Sequence, residues 1–135
     1  MLNHSKNHLT VLIADHNSAF RAAASRFIAT LPGFAVVKHV AGPDDVIAEY
    51  ILHRPDIVLM NFTFSSALSG LDIVRRLKHR IDAPCVILVA PVSDPAYSEH
   101  GKRAGADGCI AREDFETTLP SLMDRLCRTA GECHA

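Results

Sequence analysis

The chain has 135 residues, of which 48% are hydrophobic and 21% charged. That length suits one domain with a sizeable core, and the balance excludes intrinsic disorder. A formal net charge of -1 leaves no basic excess for nucleic acid and no acidic tail for a charge-driven binder.

Short apolar runs alternate with helical patterns five times. Leu9 to Ala14 is β-branched and continuous, and predicts a strand ending at Asp15. A helix follows, with Phe20, Ala24, Phe27 and Leu31 on one face; Asn17 or Ser18 caps its start and Pro32-Gly33 ends it. Phe34 to Val40 predicts a second strand. Pro43-Asp44-Asp45 opens a helix carrying Val46, Ile47, Tyr50 and Ile51, which ends before Pro55. Ile57 to Asn61 is nearly all apolar, as a strand covered on both faces should be. A Ser/Thr-rich loop from Thr63 to Ser69 ends at Gly70, and the next helix carries Leu71, Val74 and Leu77. Cys85 to Val89 predicts the fourth strand, Tyr97 to Ala104 a polar helix closed by Gly105, and Cys109 to Ala111 a short fifth strand. The last helix sets Phe115, Leu119, Leu122 and Leu126 on one stripe, with Pro120 expected in its first turn, where a missing N–H is tolerated.

Five βα units with short connections predict an α/β fold, a parallel sheet between two helical layers with right-handed crossovers. A single domain over 1–135, with its core at about 9–128 and no output domain, is expected. Cys85, Cys109, Cys127 and Cys133 form no CxxC pair, and Cys85 and Cys109 sit in apolar runs where free cysteine acts as a small hydrophobe. The eight histidines show no HxxxH spacing, so surface histidine is the better reading for most. The basic cluster Arg75, Arg76, Lys78, His79 and Arg80 is better explained as a solvated helix end. No apolar run approaches the roughly 20 residues that span a bilayer, and residues 1–8 lack an apolar signal core. The expectation is a cytoplasmic protein with reduced thiols and no membrane partner.

Four sequence words, in order, carry a resemblance: Val11-Leu12-Ile13-Ala14-Asp15, Phe20-Arg21, Arg54-Pro55-Asp56-Ile57-Val58-Leu59-Met60, and Arg103-Ala104-Gly105-Ala106-Asp107-Gly108. Over nearly its whole length the chain resembles the receiver domain of bacterial two-component response regulators, most of all the subfamily often joined to helix-turn-helix output domains. The resemblance implies a doubly wound, flavodoxin-like sheet of order 2-1-3-4-5, with the site at the carboxyl ends of the strands. The family has two adjacent acids after the first strand, a phosphoaccepting aspartate after the third, a Thr or Ser after the fourth and a Lys after the fifth. Asp15 matches the first acid. His16 stands in place of the second, Asn61 in place of the phosphoacceptor, Ala90 in place of the hydroxyl and Arg112 in place of the lysine. Cys109 falls where the family often carries a switching aromatic. The loop from Asn61 to Gly70 is one residue longer than usual and lacks its usual proline.

These departures imply a degenerate receiver. An amide is not nucleophilic, and Mg²⁺ wants carboxylate oxygens, of which Asp15 would be at most a weak residual ligand. Asp15 itself has two readings, a plain cap or strand-end acid and a pocket acid, for example one paired with Arg112. Asp56, at the opposite edge of the sheet, reads as a strand-end acid. The leading expectation is a phosphorylation-independent interaction module with no cofactor, no metal and no enzymatic activity. Its partner would be another signalling protein: a kinase, a regulator or a second copy. Candidate contacts are Tyr97, Glu99, His100, Lys102, Arg103, Glu113 and Asp114, each of which also reads as part of a solvated face. The alternative is a small-molecule or nucleotide sensor using the same edge, where the hydroxyls of Thr63, Ser65, Ser66 and Ser69 would hydrogen-bond a phosphate; the same residues also read as flexible loop filler. The first βα turn, Asp15-His16-Asn17-Ser18, has no glycine-rich phosphate cradle.

Overall fold

The computed structural model describes residues 8–63 and 70–133, with side chains on the last helix described as far as Leu126. The hydroxyls of Ser65, Ser66 and Ser69, the length of their loop, and the Cys127 and Cys133 thiols therefore lie outside the described residues. Five strands, β1 (Leu9–Ala14), β2 (Phe34–Val40), β3 (Ile57–Asn61), β4 (Cys85–Ala90) and β5 (Gly108–Ala111), alternate with five α-helices. The helices are α1 (Ser18–Ala29), α2 (Asp44–His53), α3 (Gly70–Lys78), α4 (Pro95–Ala104) and α5 (Phe115–Cys133). A short 3-10 turn, Arg112–Asp114, precedes α5. All strand pairings are parallel and the order is β2-β1-β3-β4-β5, as the resemblance implied.

Each central strand reads as a continuous apolar run because it is covered twice, yet successive side chains still point to opposite faces. Leu12, Val58, Met60, Val86 and Leu88 pack on one face against Val46, Tyr50, Ile73, Val74, Leu77 and Ala104 of α2, α3 and α4. Val11, Ile13, Ile57, Leu59, Ile87 and Val89 pack on the other face against Ala24, Ile28, Phe115, Leu119, Leu122 and Met123 of α1 and α5. The β1–β2 register shifts between Val11 and Leu12, which passes over Val37 and leaves it on the surface.

Caps fix the helix ends near the site. Asn17 Oδ1 accepts the Phe20 N–H at 3.0 Å, which settles the choice between Asn17 and Ser18 in favour of Asn17. Asp94 Oδ1 accepts the Ala96 N–H at 2.9 Å, so α4 starts at Pro95, two residues before the sequence pattern suggests. Gly105 closes α4 at φ 106°, a left-handed conformation that suits glycine. Gly70 starts α3 because a Cβ there would lie 2.6 Å from the Phe62 carbonyl oxygen and 2.7 Å from that of Asn61. The α3 backbone thereby closes directly onto the end of β3.

Two expectations need correction. Pro120 is the sixth residue of α5, beyond the first turn, because the helix continues directly from the 3-10 turn. The Glu116 carbonyl loses its intrahelical donor there, on a side where Glu116 is exposed to water. Ile51 is 47% exposed: the buried stripe of α2 is centred on Val46 and Tyr50, with Ile47 at its margin.

Candidate functional site

Parallel strands bring all their carboxyl ends to one edge, so Asp15 after β1, Asn61 at the end of β3, Ala90 at the end of β4 and Arg112 after β5 gather there. Asp15 is 1% exposed and Asn61 2%. A charge buried to that degree needs partners. Asp15 Oδ2 accepts a hydrogen bond from the Arg112 guanidinium at 2.6 Å, and Oδ1 accepts the Asn17 N–H at 2.9 Å. The side-chain cap of α1 belongs to Asn17, and Asp15 is a buried acid paired with Arg112.

Arg112 is held on its other side by Phe20, whose ring centroid lies 4.0 Å from the guanidinium carbon. Phe20 is itself edge-on to Phe115 at 5.2 Å. Four segments therefore converge on one cation: the end of β1, α1, the 3-10 turn and the start of α5. Arg21 donates to the Asp15 carbonyl oxygen at 2.7 Å and fixes the same turn from outside.

The Asn61 amide is also engaged. Its nitrogen lies 3.1 Å from His16 Nδ1, and its oxygen accepts the Thr63 N–H at 3.3 Å. His16 is mostly exposed, with Nδ1 3.7 Å from Asp15 Oδ1. The residue after Asp15 is thus tied to the end of β3 by a side-chain hydrogen bond.

Ala90 is buried and presents no polar group at the end of β4. Cys109 is half-buried on β5 and borders a cavity of about 360 Å³ together with Ala90, Tyr97 and Ser98. Burial pushes its thiol up, and a hydrogen bond with Ser98 partly offsets that. Tyr97 is half-buried, its ring edge-on to Phe62 at 4.9 Å. Glu99, His100, Lys102 and Arg103 are exposed on α4, and Glu113 and Asp114 are exposed in the 3-10 turn.

Other acids have structural partners at the far edge. Asp56 accepts the Thr10 N–H at 2.8 Å and its hydroxyl at 3.1 Å. Asp107 accepts the Val86 N–H at 2.8 Å and Lys78 at 2.9 Å. In the basic cluster, Arg75 pairs with Asp72 and Arg80 with Asp82, as suits a solvated helix end. Sequence reading placed Phe20 in the core and missed it as the shelf for Arg112. Its spacing from Phe115 and Arg112 carries no signal before the fold is known.

A doubly wound sheet with an acid at the end of β1 and a cation after β5 is the framework of a signal receiver. Residues 11–121 match the response regulator receiver domain, and the chain belongs to that family. It is 26% identical over 118 residues to the transcriptional regulatory protein YdfI of Bacillus subtilis, covering 87% of this chain and 54% of that protein. It is 22% identical over 120 residues to the oxygen regulatory protein NreC of Staphylococcus carnosus, covering 89% of this chain and 55% of that protein. The chain thus spans about half the length of these curated relatives. Among solved structures, the receiver domain of the response regulator NarL from Mycobacterium tuberculosis superposes with a TM-score of 0.82 at 16% identity, covering 91% of this chain and 98% of that one. A LuxR-family two-component response regulator from Aurantimonas sp. gives 0.81 at 22% identity, covering 88% and 84%. At such identities the superpositions establish the fold. Among the described residues no helix is long and apolar enough to cross a membrane.

Proposed function

We propose that this receiver domain acts in two-component signalling by binding another signalling protein, with no phosphorylation step of its own. The observation that carries the reading is the pairing of Arg112 with Asp15 beside an amide, Asn61, at the end of β3. A receiver phosphorylated in the usual way needs a carboxylate nucleophile at that strand end. Asn61 has nearly the same shape but offers neither charge nor nucleophilicity. Mg²⁺ needs several hard oxygen ligands in near-octahedral geometry. Of the positions the family uses for it, only Asp15 carries a carboxylate, and both its oxygens are already hydrogen-bonded. His16 is a poor Mg²⁺ ligand. These residues do not fit the metal.

The pocket needs no added ion to balance its charge, since one carboxylate faces one guanidinium. That supports a scaffold held in one state. The exposed residues of α4 and the 3-10 turn, with the half-buried Tyr97, form the surface on which a kinase, a regulator or a second copy would dock. The near-neutral net charge and the paired basic cluster favour a protein partner over nucleic acid. The test is intact-mass spectrometry after incubation with acetyl phosphate and Mg²⁺. No phosphoryl adduct is expected on the unmodified protein. Stoichiometric labelling at any aspartate would sink the reading. A pull-down from native extract should retain the same protein with the unmodified chain as bait, with or without phosphodonor.

A further inference from the structure

We propose that α2 pairs antiparallel with α2 of a second copy of this chain, through Ala48, Ile51 and Leu52. This deepens the reading of the chain as an interaction module, and rests on it, by naming one partner and a surface for it other than α4. Among the described residues five large hydrophobic side chains are exposed, Val37, Ile51, Leu52, Ile81 and Val92, and the two that lie on a helix both lie on α2. Leu52 is 72% exposed and Ile51 47%, and Ala48, one turn before Leu52, is exposed beside them. Single exposed aliphatics are ordinary, but these three share the side of α2 turned away from Val46 and Tyr50, which pack on the sheet. The second half of α2 is thus apolar on both sides, the pattern of a helix covered on both sides. The outer faces of α3 and α4 instead carry Arg75 and Arg76, and Glu99, His100, Lys102 and Arg103.

The ends of α2 point to a second copy as the cover. At its start Asp44 and Asp45 are both exposed, and the helix end offsets only about half a charge of their two. At its close Arg54 pairs with Asp82, which also holds Arg80, so two guanidiniums share one carboxylate and a positive charge is left over. The helix end there removes about half a charge and leaves the sign unchanged. His53 beside it is paired with Glu49. A helix negative at one end, positive at the other and apolar between complements itself when two copies run antiparallel about a two-fold axis. The seam also sets the register. When Ala48 of one copy receives Ile51 of the other, Asp45 meets Arg54, since each lies three residues outside that pair. The small Ala48 lets the helices approach, and Leu52 packs alongside. An anionic membrane or a nucleic acid would be repelled by Asp44 and Asp45, and a partner of one charge sign would satisfy one end only.

The experiment is sedimentation equilibrium on the full chain, with an amide chemical-shift dilution series beside it. The mass should rise with concentration from 14.7 kDa towards the dimer value, with a dissociation constant on the order of 0.1 mM, weak as suits a contact of a few side chains. The amides that move with concentration should be those from Asp45 to Arg54, with α4 and α5 left in place. Leu52→Lys should raise the dissociation constant about tenfold. Its Tm and its amide spectrum away from α2 should stay native, because the side chain it replaces is exposed. Asp45→Lys, at the charged end of the seam, should weaken association about fivefold. Val92→Lys, the matching change at an exposed aliphatic off the helix, should change nothing. A chain still monomeric at about 1 mM, tenfold above the expected constant, would overturn the proposal. So would association that survives Leu52→Lys, equal weakening by Val92→Lys, or concentration shifts confined to α4, β5 and α5. A monomer whose Leu52→Lys variant loses one protein from the native-extract pull-down, or loses binding to vesicles of anionic phospholipid, would assign the face to that other occupant and overturn it too. Association is measured without phosphodonor, so phosphoryl labelling of the unmodified protein would sink the functional reading and leave this measurement to decide separately.

Discussion

Replacing Arg112 with alanine tests whether the cation that closes the pocket also holds the fold. Asp15 stays buried in Arg112→Ala and keeps the Asn17 N–H, but loses the 2.6 Å charged contact. Truncating one partner of a fully buried pair costs about 3–5 kcal/mol. The Arg112 side chain is 30% exposed, so water can enter the vacated space and the cost falls to about 2 kcal/mol. Losing the stack on Phe20 adds about 0.5–1 kcal/mol. The expected loss is therefore about 2.5–3 kcal/mol, which for a domain of this size lowers Tm by about 10 °C. Thermal and urea denaturation measure it, and Asp15→Asn completes a double-mutant cycle. The double variant should be more stable than the sum of the single losses by over about 1 kcal/mol, because removing both charges leaves none unpaired. A loss under about 0.5 kcal/mol in Arg112→Ala, or strict additivity in the cycle, would refute the reasoning.

Millimolar Mg²⁺ should leave the Tm of the unmodified protein unchanged, since a ligand that does not bind the native state cannot stabilise it; a saturable rise of several degrees would contradict this. Asn61→Asp restores a carboxylate with almost no change in volume, yet little labelling by acetyl phosphate is expected by mass spectrometry. Adding His16→Asp and Ala90→Thr should raise labelling by more than the separate changes sum to, because metal, nucleophile and oxygen contacts act as a unit. Burial raises the thiols of Cys85 and Cys109, so both should alkylate more slowly at mildly alkaline pH than in the urea-unfolded chain, as read by peptide mapping. The sign of the linkage follows. The stability from keeping these thiols neutral is fully present below the unfolded thiol value and is lost as pH rises from there towards the higher folded value. Replacing both by alanine should flatten that alkaline decline in urea midpoints.

The sequence alone determined the order and type of the five strands and five α-helices, because each strand is a short apolar run and each helix a patterned stretch with its own boundary signal; the 3-10 turn before α5 was not foreseen. Capping residues and Gly105 placed most boundaries to within two residues. The strand-end residues were also legible: the sequence words place Asp15 just after β1, Asn61 and Ala90 at the ends of β3 and β4, and Arg112 just after β5, where the fold has them. What only the tertiary structure decided is who meets whom across the chain. Asp15 and Arg112 are 97 positions apart, and the local pattern at Asp15 fitted a cap as well as a buried acid. Phe20 looks like any core aromatic until α1 and the turn before α5 close around one guanidinium. The stripe of α2 likewise depended on how that helix leans on the sheet, which left Ile51 in water. Local signals fix backbone conformation because they act between near neighbours. Ion pairs, shelves and grooves need the chain to return on itself, and no spacing in the sequence records that distance.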